Sequence, residues 1–286
     1  MKDINASILG KVIQERKNQT HKGDYGRVLL IGGCYPYGGA IIMAARAAVA
    51  AGAGLVTVAT ETPTIQALHA QLPEAMAIDL EDKERLSHLV SKMDCIVMGP
   101  GMEFQDRTSQ ILSGLLGQLR PDQRLVLDGG AIETFAKLGR QTQAQVIFTP
   151  HQGEFERLTG LLVEEQTPER NQEAVDRFPR GTISLVKKHG TEVYVAGASV
   201  EDVLCLPIGG PYQATGGMGD TLAGMVGAFL AQFKDVSVEE RLSAALYLHS
   251  LIASDLAEDL YVVRPTAISQ VLPAYMKRYQ GGRGLS

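Results

Sequence analysis

The sequence has no tryptophan and only three cysteines, Cys34, Cys95 and Cys205, among its 286 residues. The cysteines are odd in number, far apart and form no C-x-x-C pair. This excludes a disulfide framework and a thiolate zinc site and points to a reducing compartment. There is no Lys/Arg block, and the formal net charge is −5. Nothing therefore concentrates positive potential where a nucleic-acid backbone would bind. The most apolar stretches contain glycine and run roughly 8–16 residues, short of the about 20 that a transmembrane helix needs. Polar and charged residues, rather than an apolar signal core, follow Met1. A cytoplasmic protein without nucleic-acid or membrane partners is expected.

The composition is that of an ordinary globular protein, with 45% hydrophobic, 21% charged and 6% aromatic residues. The length allows one large core or two small ones. Five apolar runs rich in Val, Ile and Leu punctuate the first 150 residues: Val28–Gly33, Leu55–Ala59, Cys95–Gly99, Leu125–Asp128 and Val146–Thr149. They lack polar alternation, as strands buried on both faces do. Helical stretches such as Ala40–Ala51 and Thr108–Leu119 separate them, which predicts right-handed βαβ units and a parallel sheet. After residue 181, Thr182–Lys187, Glu192–Ala196 and Val203–Pro207 leave no room for helices and read as a meander. Helices are expected over Met218–Gln232, Glu239–Glu258 and Ala267–Tyr279. With no repeat and no linker, the expected architecture is α/β: one three-layer domain over residues 1–286, with residues 1–22 as a helical extension.

Ligands of open α/β sheets sit beyond the carboxyl ends of the strands, so the segments there carry the functional reading. In Ala214-Thr-Gly-Gly-Met-Gly-Asp220, three glycines (Gly216, Gly217, Gly219) crowd the start of a long helix. Their N–H groups and the helix terminus make an anion hole from backbone alone. Asp220 falls in the first helical turn. By itself the pattern also fits a plain loop with a dipole-complementing carboxylate, worth about 0.3–1 kcal/mol. A carboxylate so placed is expected to hold its charge readily and to be a modest base.

G-G-x-G-D at a helix start resembles the signature of the ribokinase-like superfamily, whose Asp activates the acceptor hydroxyl while the glycines hold the transferring phosphate. The wider string Gln213 to Gly224 is similar to one branch, the ADP-dependent NAD(P)H-hydrate dehydratases. Thr149-Pro-His-Gln-Gly-Glu154 also resembles that branch, with His151 at a substrate contact and Glu154 organising Mg²⁺ through water. A Gly-rich loop runs from Gly32 to Ala40, and Ala40 falls at a substrate contact of the branch. Its glycines do not give the dinucleotide spacing G-x-G-x-x-G, although Glu61 after the next strand could hold a ribose. Met98-Gly-Pro-Gly101 resembles G-P-G-L-G, with Gly101 at a substrate contact and Met102-Glu103 departing from the pattern. The Glu103 side chain is expected to point away from phosphate. Leu127-Asp-Gly-Gly-Ala131 parallels L-D-A-D-A, with Gly130 in place of the second Asp.

Lys187, Lys188, His189, Gly190 and Thr191 form a turn that the branch uses for nucleotide; read alone, they make a hairpin with solvated lysines. His21, His69, His88, His189 and His249 show no metal-ligand spacing and read as structural or exposed. The resemblance spans residues 22–264. It implies a hydro-lyase that phosphorylates the C6 hydroxyl of hydrated NADH or NADPH from ADP, then eliminates phosphate, leaving AMP. In that scheme Asp220 is the base and substrate contact, and Gly216, Gly217 and Gly219 hold phosphate. Mg²⁺, a homotetramer, and an epimerase on a separate chain are further implications. A small-molecule kinase of the same superfamily and a non-catalytic nucleotide-binding protein are the other readings, and ATP is not excluded as donor.

Overall fold

The computed structural model describes residues 1–139 and 141–285. The first strands and helices alternate as their apolar runs dictate. β2 (Arg27–Ile31), α2 (Gly38–Ala50), β3 (Leu55–Thr60) and α3 (Thr62–Gln71) lead to β4 (Met76–Asp79) and α4 (Lys83–Val90). β5 (Cys95–Met98), α5 (Asp106–Leu116), β6 (Arg124–Leu127), α6 (Gly130–Leu138) and β7 (Gln145–Phe148) continue the pattern. Two helices, α7 (Gln152–Thr159) and α8 (Pro168–Val175), precede β8 (Ile183–Val186), β9 (Glu192–Val195) and the two-residue β10 (Leu204–Cys205). The chain ends in α9 (Met218–Gln232), α10 (Val238–Leu256) and α11 (Pro265–Tyr279).

Neighbouring residues along a strand feed opposite faces of the sheet. Val28 and Leu30 enter one core with α2, α9 and α10; Leu29 and Ile31 enter the other with α5 and α6. All four are fully buried, which is why the run shows no polar alternation. A smaller third cluster joins Phe155 of α7 and Val175 of α8 to Tyr194 of β9.

The ten strands form one sheet in the order β1-β10-β9-β8-β7-β6-β5-β2-β3-β4, where β1 is Lys2–Asp3. β9 runs antiparallel to both neighbours; the remaining pairs are parallel. From β2 the chain steps outward through β3 and β4, then returns to β5 on the other side and proceeds to β8. The order therefore reverses between β2 and β5, and a crevice opens at their carboxyl ends.

Three features depart from the sequence expectation. β4 is a strand that hydropathy did not mark: it is an edge strand, and its Met76 is 47% exposed. The strand expected over Val203–Pro207 shrinks to Leu204–Cys205. Residues 1–22 contain one short helix, α1 (Ser7–Val12), whose Leu9 and Val12 are fully buried. β1 bonds alongside β10, so this segment is woven into the core.

α9 lies unusually close to its neighbours because it carries glycine where they touch. A Cβ on Gly224 would lie 2.0 Å from the Ala44 carbonyl oxygen, and one on Gly227 would lie 2.6 Å from Val97 Cγ2. Gly217 sits against Met43, Gly224 against Ala44, and Gln232 bonds the Ala51 carbonyl. The contacts ascend together, so α2 and α9 run side by side in the same direction. Both helices begin at the edge of the sheet where the strands end. Among the described residues no helix is long and apolar enough to cross a membrane.

Candidate active site

α9 begins without a side-chain cap, whereas α7, α8 and α10 are capped by His151, Thr167 and Ser237. Its cap position is Gly217, with φ +95°, a left-handed conformation that side chains disfavour. A Cβ there would also lie 2.4 Å from Met43 Sδ. Thr221 N–H makes the first helical bond, to the Gly217 carbonyl at 3.0 Å. The preceding N–H groups, with the positive end of the helix dipole, are thus left to an anion. Around Gly216 nothing lies within 4 Å of where a Cβ would be, so this part of the turn is open.

Asp220 projects from that first turn towards Lys187, which follows β8. Lys187 Nζ lies 3.1 Å from Asp128 Oδ1, at the end of β6. Thr149 Oγ1, at the end of β7, donates to the same oxygen at 2.6 Å. Lys187 is largely buried. Burial works against its ammonium, but Asp128, Glu154 and then Asp220 outweigh it and raise its pKa above the ordinary lysine value. Asp220 moves the opposite way from the sequence expectation. Burial first, then Asp128 and Glu154, push its carboxyl up to about 6, against the lowering by Lys187. The expected modest base is therefore a stronger one, because two neighbouring carboxylates and desolvation outweigh the helix terminus.

His151 and Glu154 lock each other at the start of α7. The ring Nδ1 accepts from Gly153 N–H at 3.1 Å and Glu154 N–H at 3.2 Å, and Glu154 Oε2 accepts from His151 N–H at 2.8 Å. With Nδ1 used as an acceptor, Nε2 is the donor nitrogen of the ring, and it lies 3.5 Å from Glu154 Oε1. A β-bridge joins His151 to Lys187, and Lys187 N–H donates to the Pro150 carbonyl at 2.7 Å.

The turn from Lys187 through Lys188, His189 and Gly190 to Thr191 walls a cleft of about 680 Å³, with Gly219 and His151 at its inner end and Leu206, Leu222 and Leu246 along its sides. Lys188 is not a free cation: its Nζ lies 2.7 Å from Glu192 Oε1, and Glu192 also accepts from the Tyr194 hydroxyl. Lys187 is the cation that acts on Asp220.

Ala40, in the first turn of α2, and Gly101, just after β5, meet beyond the strand ends. A Cβ added to Gly101, whose φ is +68°, would lie 3.1 Å from Ala40 Cβ and 2.4 Å from the Tyr37 carbonyl oxygen. Gly33 N–H and Cys34 N–H donate to the carbonyls of Pro100 and Gly101 at 2.8 and 2.9 Å, which stitches the two loops across the crevice. Glu61 is not available to a ribose. Its Oε2 accepts from Tyr35 N–H at 2.9 Å and its Oε1 pairs with Arg107 at 2.6 Å. Glu103 turns to Gln105, whose Nε2 donates at 3.2 Å, and to the Tyr37 hydroxyl, which it raises in pKa. The two departures at 102–103 and 130 belong together. A Cβ at Gly130 would lie 2.5 Å from the Met102 carbonyl oxygen and 2.7 Å from Glu103 Cα. The path of Met102-Glu103 occupies the space a side chain at 130 would need.

Sequence reasoning did not single out Asp128 or Thr149 as partners of Lys187, nor His249, which lines the cleft. The position of Asp128 and Thr149 at strand ends was the available signal. Among the described residues no group of three His, Cys, Asp or Glu side chains could hold a metal ion by itself. Cys34, Cys95 and Cys205 are free thiols.

A G-G-x-G-D turn opening a helix at the carboxyl edge of a largely parallel sheet fits the ribokinase-like fold expected from the sequence. A solved ribokinase-like superfamily protein from Enterococcus faecalis matches with a TM-score of 0.93 and 42% identity, covering 98% of this chain and 97% of that one. Residues 28–274 match the family model described as NAD(P)H-hydrate dehydratase, and the chain belongs to that family. The ADP-dependent (S)-NAD(P)H-hydrate dehydratase of Streptococcus pneumoniae is 49% identical over 278 residues, 97% of this chain and 95% of the relative. The ADP/ATP-dependent NAD(P)H-hydrate dehydratase of Bacillus subtilis, co-crystallised with ATP and Mg²⁺, matches with a TM-score of 0.80 and 27% identity over 95% of this chain and 96% of that one.

Proposed function

We propose that this protein restores hydrated NADH or NADPH by an ADP-dependent dehydration centred on Asp220. The observation that carries the proposal is the placement of Asp220. It is a half-buried carboxyl raised to about 6, at the uncapped start of α9. The Lys187–Thr191 cleft includes Met218 and Gly219 of that helix start, and Ala40 meets Gly101 at the start of α2, whose Met43 lies against Gly217.

Hydroxide is a poor leaving group and phosphate a good one. The C6 hydroxyl attacks the terminal phosphorus of ADP, its proton passes to Asp220, and the bond to AMP breaks. The ring nitrogen lone pair then expels phosphate from C6, and loss of the C5 proton restores the double bond. Gly216, Gly217 and Gly219 present N–H groups to the moving phosphoryl group, and Lys187 neutralises its charge. Lys188, His189, Gly190 and Thr191 border the nucleotide; Ala40, Gly101 and the His151 Nε2–H border the hydrate. Phosphoryl transfer depends on positioning and electrostatics, which this arrangement supplies.

Mg²⁺ fits this donor set as a phosphate-borne ion. Three carboxylates act on one ammonium, which leaves the site net negative, yet no cage of three ligands exists among the described residues. Such an ion keeps waters and phosphate oxygens as its ligands. Glu154 would hold it through water, beside Asp128, and when bound the ion would offset charge on the phosphates. The family resemblance further supports a cytoplasmic homotetramer working beside a separate epimerase that supplies the reactive epimer.

The test is incubation of hydrated NADH with ADP and Mg²⁺, followed in the near-ultraviolet. Return of the reduced-nicotinamide band with release of AMP and phosphate is expected. A stable phosphorylated product without that band would move the protein to the small-molecule kinases.

A further inference from the structure

The chemistry at Asp220 uses none of the aromatic rings carried by the walls of the crevice. Among the described residues four aromatic side chains are exposed: Tyr35, Tyr37, Phe104 and Tyr261. Three of the four lie on the loops that follow β2 and β5, the strands between which the sheet order reverses. A single exposed ring on a surface is ordinary; three on the two loops of one crevice are a feature of that crevice.

The rings differ in what they touch. The Lys137 ammonium lies 3.6 Å from the centre of the Phe104 ring, and Tyr37 is half exposed. Tyr35 is 86% exposed, and its side chain makes no hydrogen bond, ion pair or ring contact among the described residues. Its main chain is held firmly all the same. Tyr35 N–H donates to Glu61 Oε2 at 2.9 Å, and Arg107 of α5 holds the other oxygen of that carboxylate at 2.6 Å. On either side, Cys34 N–H donates to the Gly101 carbonyl and Tyr37 N–H to the Cys34 carbonyl. Because α5 follows the Gly101 loop, Glu61 and Arg107 tie the two walls of the crevice together at Tyr35. Packing of the ring does not account for this anchoring, since the ring is almost wholly in solvent. The anchoring presents the ring in a fixed place, which lowers the ordering cost of binding something to it.

The chemistry of the hydrate supplies the occupant. Its nicotinamide ring is saturated at C4, C5 and C6 and offers no flat aromatic face, whereas its adenine does. With C6 within reach of Asp220, the diphosphate and adenosine extend away from α9. Tyr35 stands in solvent upstream of Ala40 on the same loop. We infer that Tyr35 is a binding residue for the hydrate, the adenine of hydrated NADH or NADPH stacking on its ring. This rests on the dehydratase reading and deepens it.

Two measurements test it. The first compares hydrated NADH with hydrated reduced nicotinamide mononucleotide, which keeps the reacting ring and lacks the adenosine. With folding checked by thermal melts, Tyr35→Ala should raise KM for hydrated NADH about 5–100-fold, the usual range for a base stacked on an aromatic side chain. Its kcat and its KM for ADP should stay within about twofold, because the lost contact is equal in ground and transition states. KM for the mononucleotide should not change, and Tyr35→Phe should behave as wild type. The second measurement uses the absence of tryptophan from the chain, which makes Tyr35→Trp a single reporter. Without ADP, its emission should be quenched by hydrated NADH and not by the hydrated mononucleotide. An unchanged KM for hydrated NADH, an equal rise for the mononucleotide, a rise in KM for ADP instead, or tryptophan emission indifferent to hydrated NADH would each overturn the inference while leaving the dehydratase reading in place. A wild-type protein that never restores the reduced cofactor overturns both.

Discussion

Replacing Asp220 by Asn should make the protein more stable and nearly inactive at the same time. The side chain keeps its size and a carbonyl acceptor, so the anion-binding turn at Gly216–Gly219 survives. In the folded state the Asp220 carboxyl is raised from 3.8 to about 6. The folded protein therefore binds more protons than the unfolded chain between those values, and stability falls as pH rises through that window. Above pH 6 the deficit is complete, up to roughly 3 kcal/mol from the shift alone, and partial solvent screening reduces it to about 1–2 kcal/mol. Asn cannot ionise and escapes the deficit. At pH 7.5 the variant should melt a few degrees above wild type, and at pH 3.5, where Asp220 is protonated in the folded state and mostly protonated in the unfolded chain, the two should nearly coincide. Turnover should fall about 10²–10⁴-fold, the usual contribution of a positioned general base, or roughly 3–5 kcal/mol of transition-state stabilisation. Steady-state assays at pH 7.5 and calorimetric melts at both pH values provide the measurements. A folded variant with near-normal turnover removes Asp220 from the chemistry. A variant less stable than wild type at pH 7.5 refutes the electrostatic account of the site.

Lys187 lowers the pKa of Asp220, so Lys187→Met should move the acid limb of kcat/KM to higher pH. It should also raise KM for ADP about 10–100-fold, the worth of a charged hydrogen bond; an unmoved limb would uncouple the two residues. His151→Ala removes the α7 cap at about 1 kcal/mol and should raise KM for the hydrate while calorimetric ADP affinity holds. Loss of ADP binding with the fold intact would put His151 on the nucleotide side. Gly130→Asp, which restores the family's usual residue, should destabilise by about 1–3 kcal/mol through overpacking against Met102 and Glu103. An unchanged melting temperature would show that this loop yields freely.

Much of the site could be read before the fold was known, because its parts are local. The glycines at 216, 217 and 219 and the helix that follows mark their own boundary, and Met218–Gln232 falls where it was expected. The strand ends could be located because strands buried on both faces are continuous apolar runs. β4 escaped notice because an edge strand with Met76 exposed has no such run. The pairing of Lys188, read as part of the nucleotide turn, with Glu192 on the next strand could not be foreseen, because hairpin pairing is not visible in a five-residue motif. Glu61 could hold a ribose by its place in the sequence, but Arg107 of α5 occupies it.

The sequence alone determined the strand–helix alternation, the open glycine turn and the residue types at the strand ends, since these follow from steric preference and periodicity within a few residues. Only the tertiary structure decided what those residues do to one another. Lys187 meets Asp128 across 59 positions because β6 and β8 flank β7. Asp220 becomes a stronger base, rather than a weaker one, because Asp128 and Glu154 converge on it from other strand ends. Gly130 is bare because Met102-Glu103 fills its space. Steric preference acts along the chain, whereas charge, burial and packing act through space, and the folded sheet sets which residues share that space.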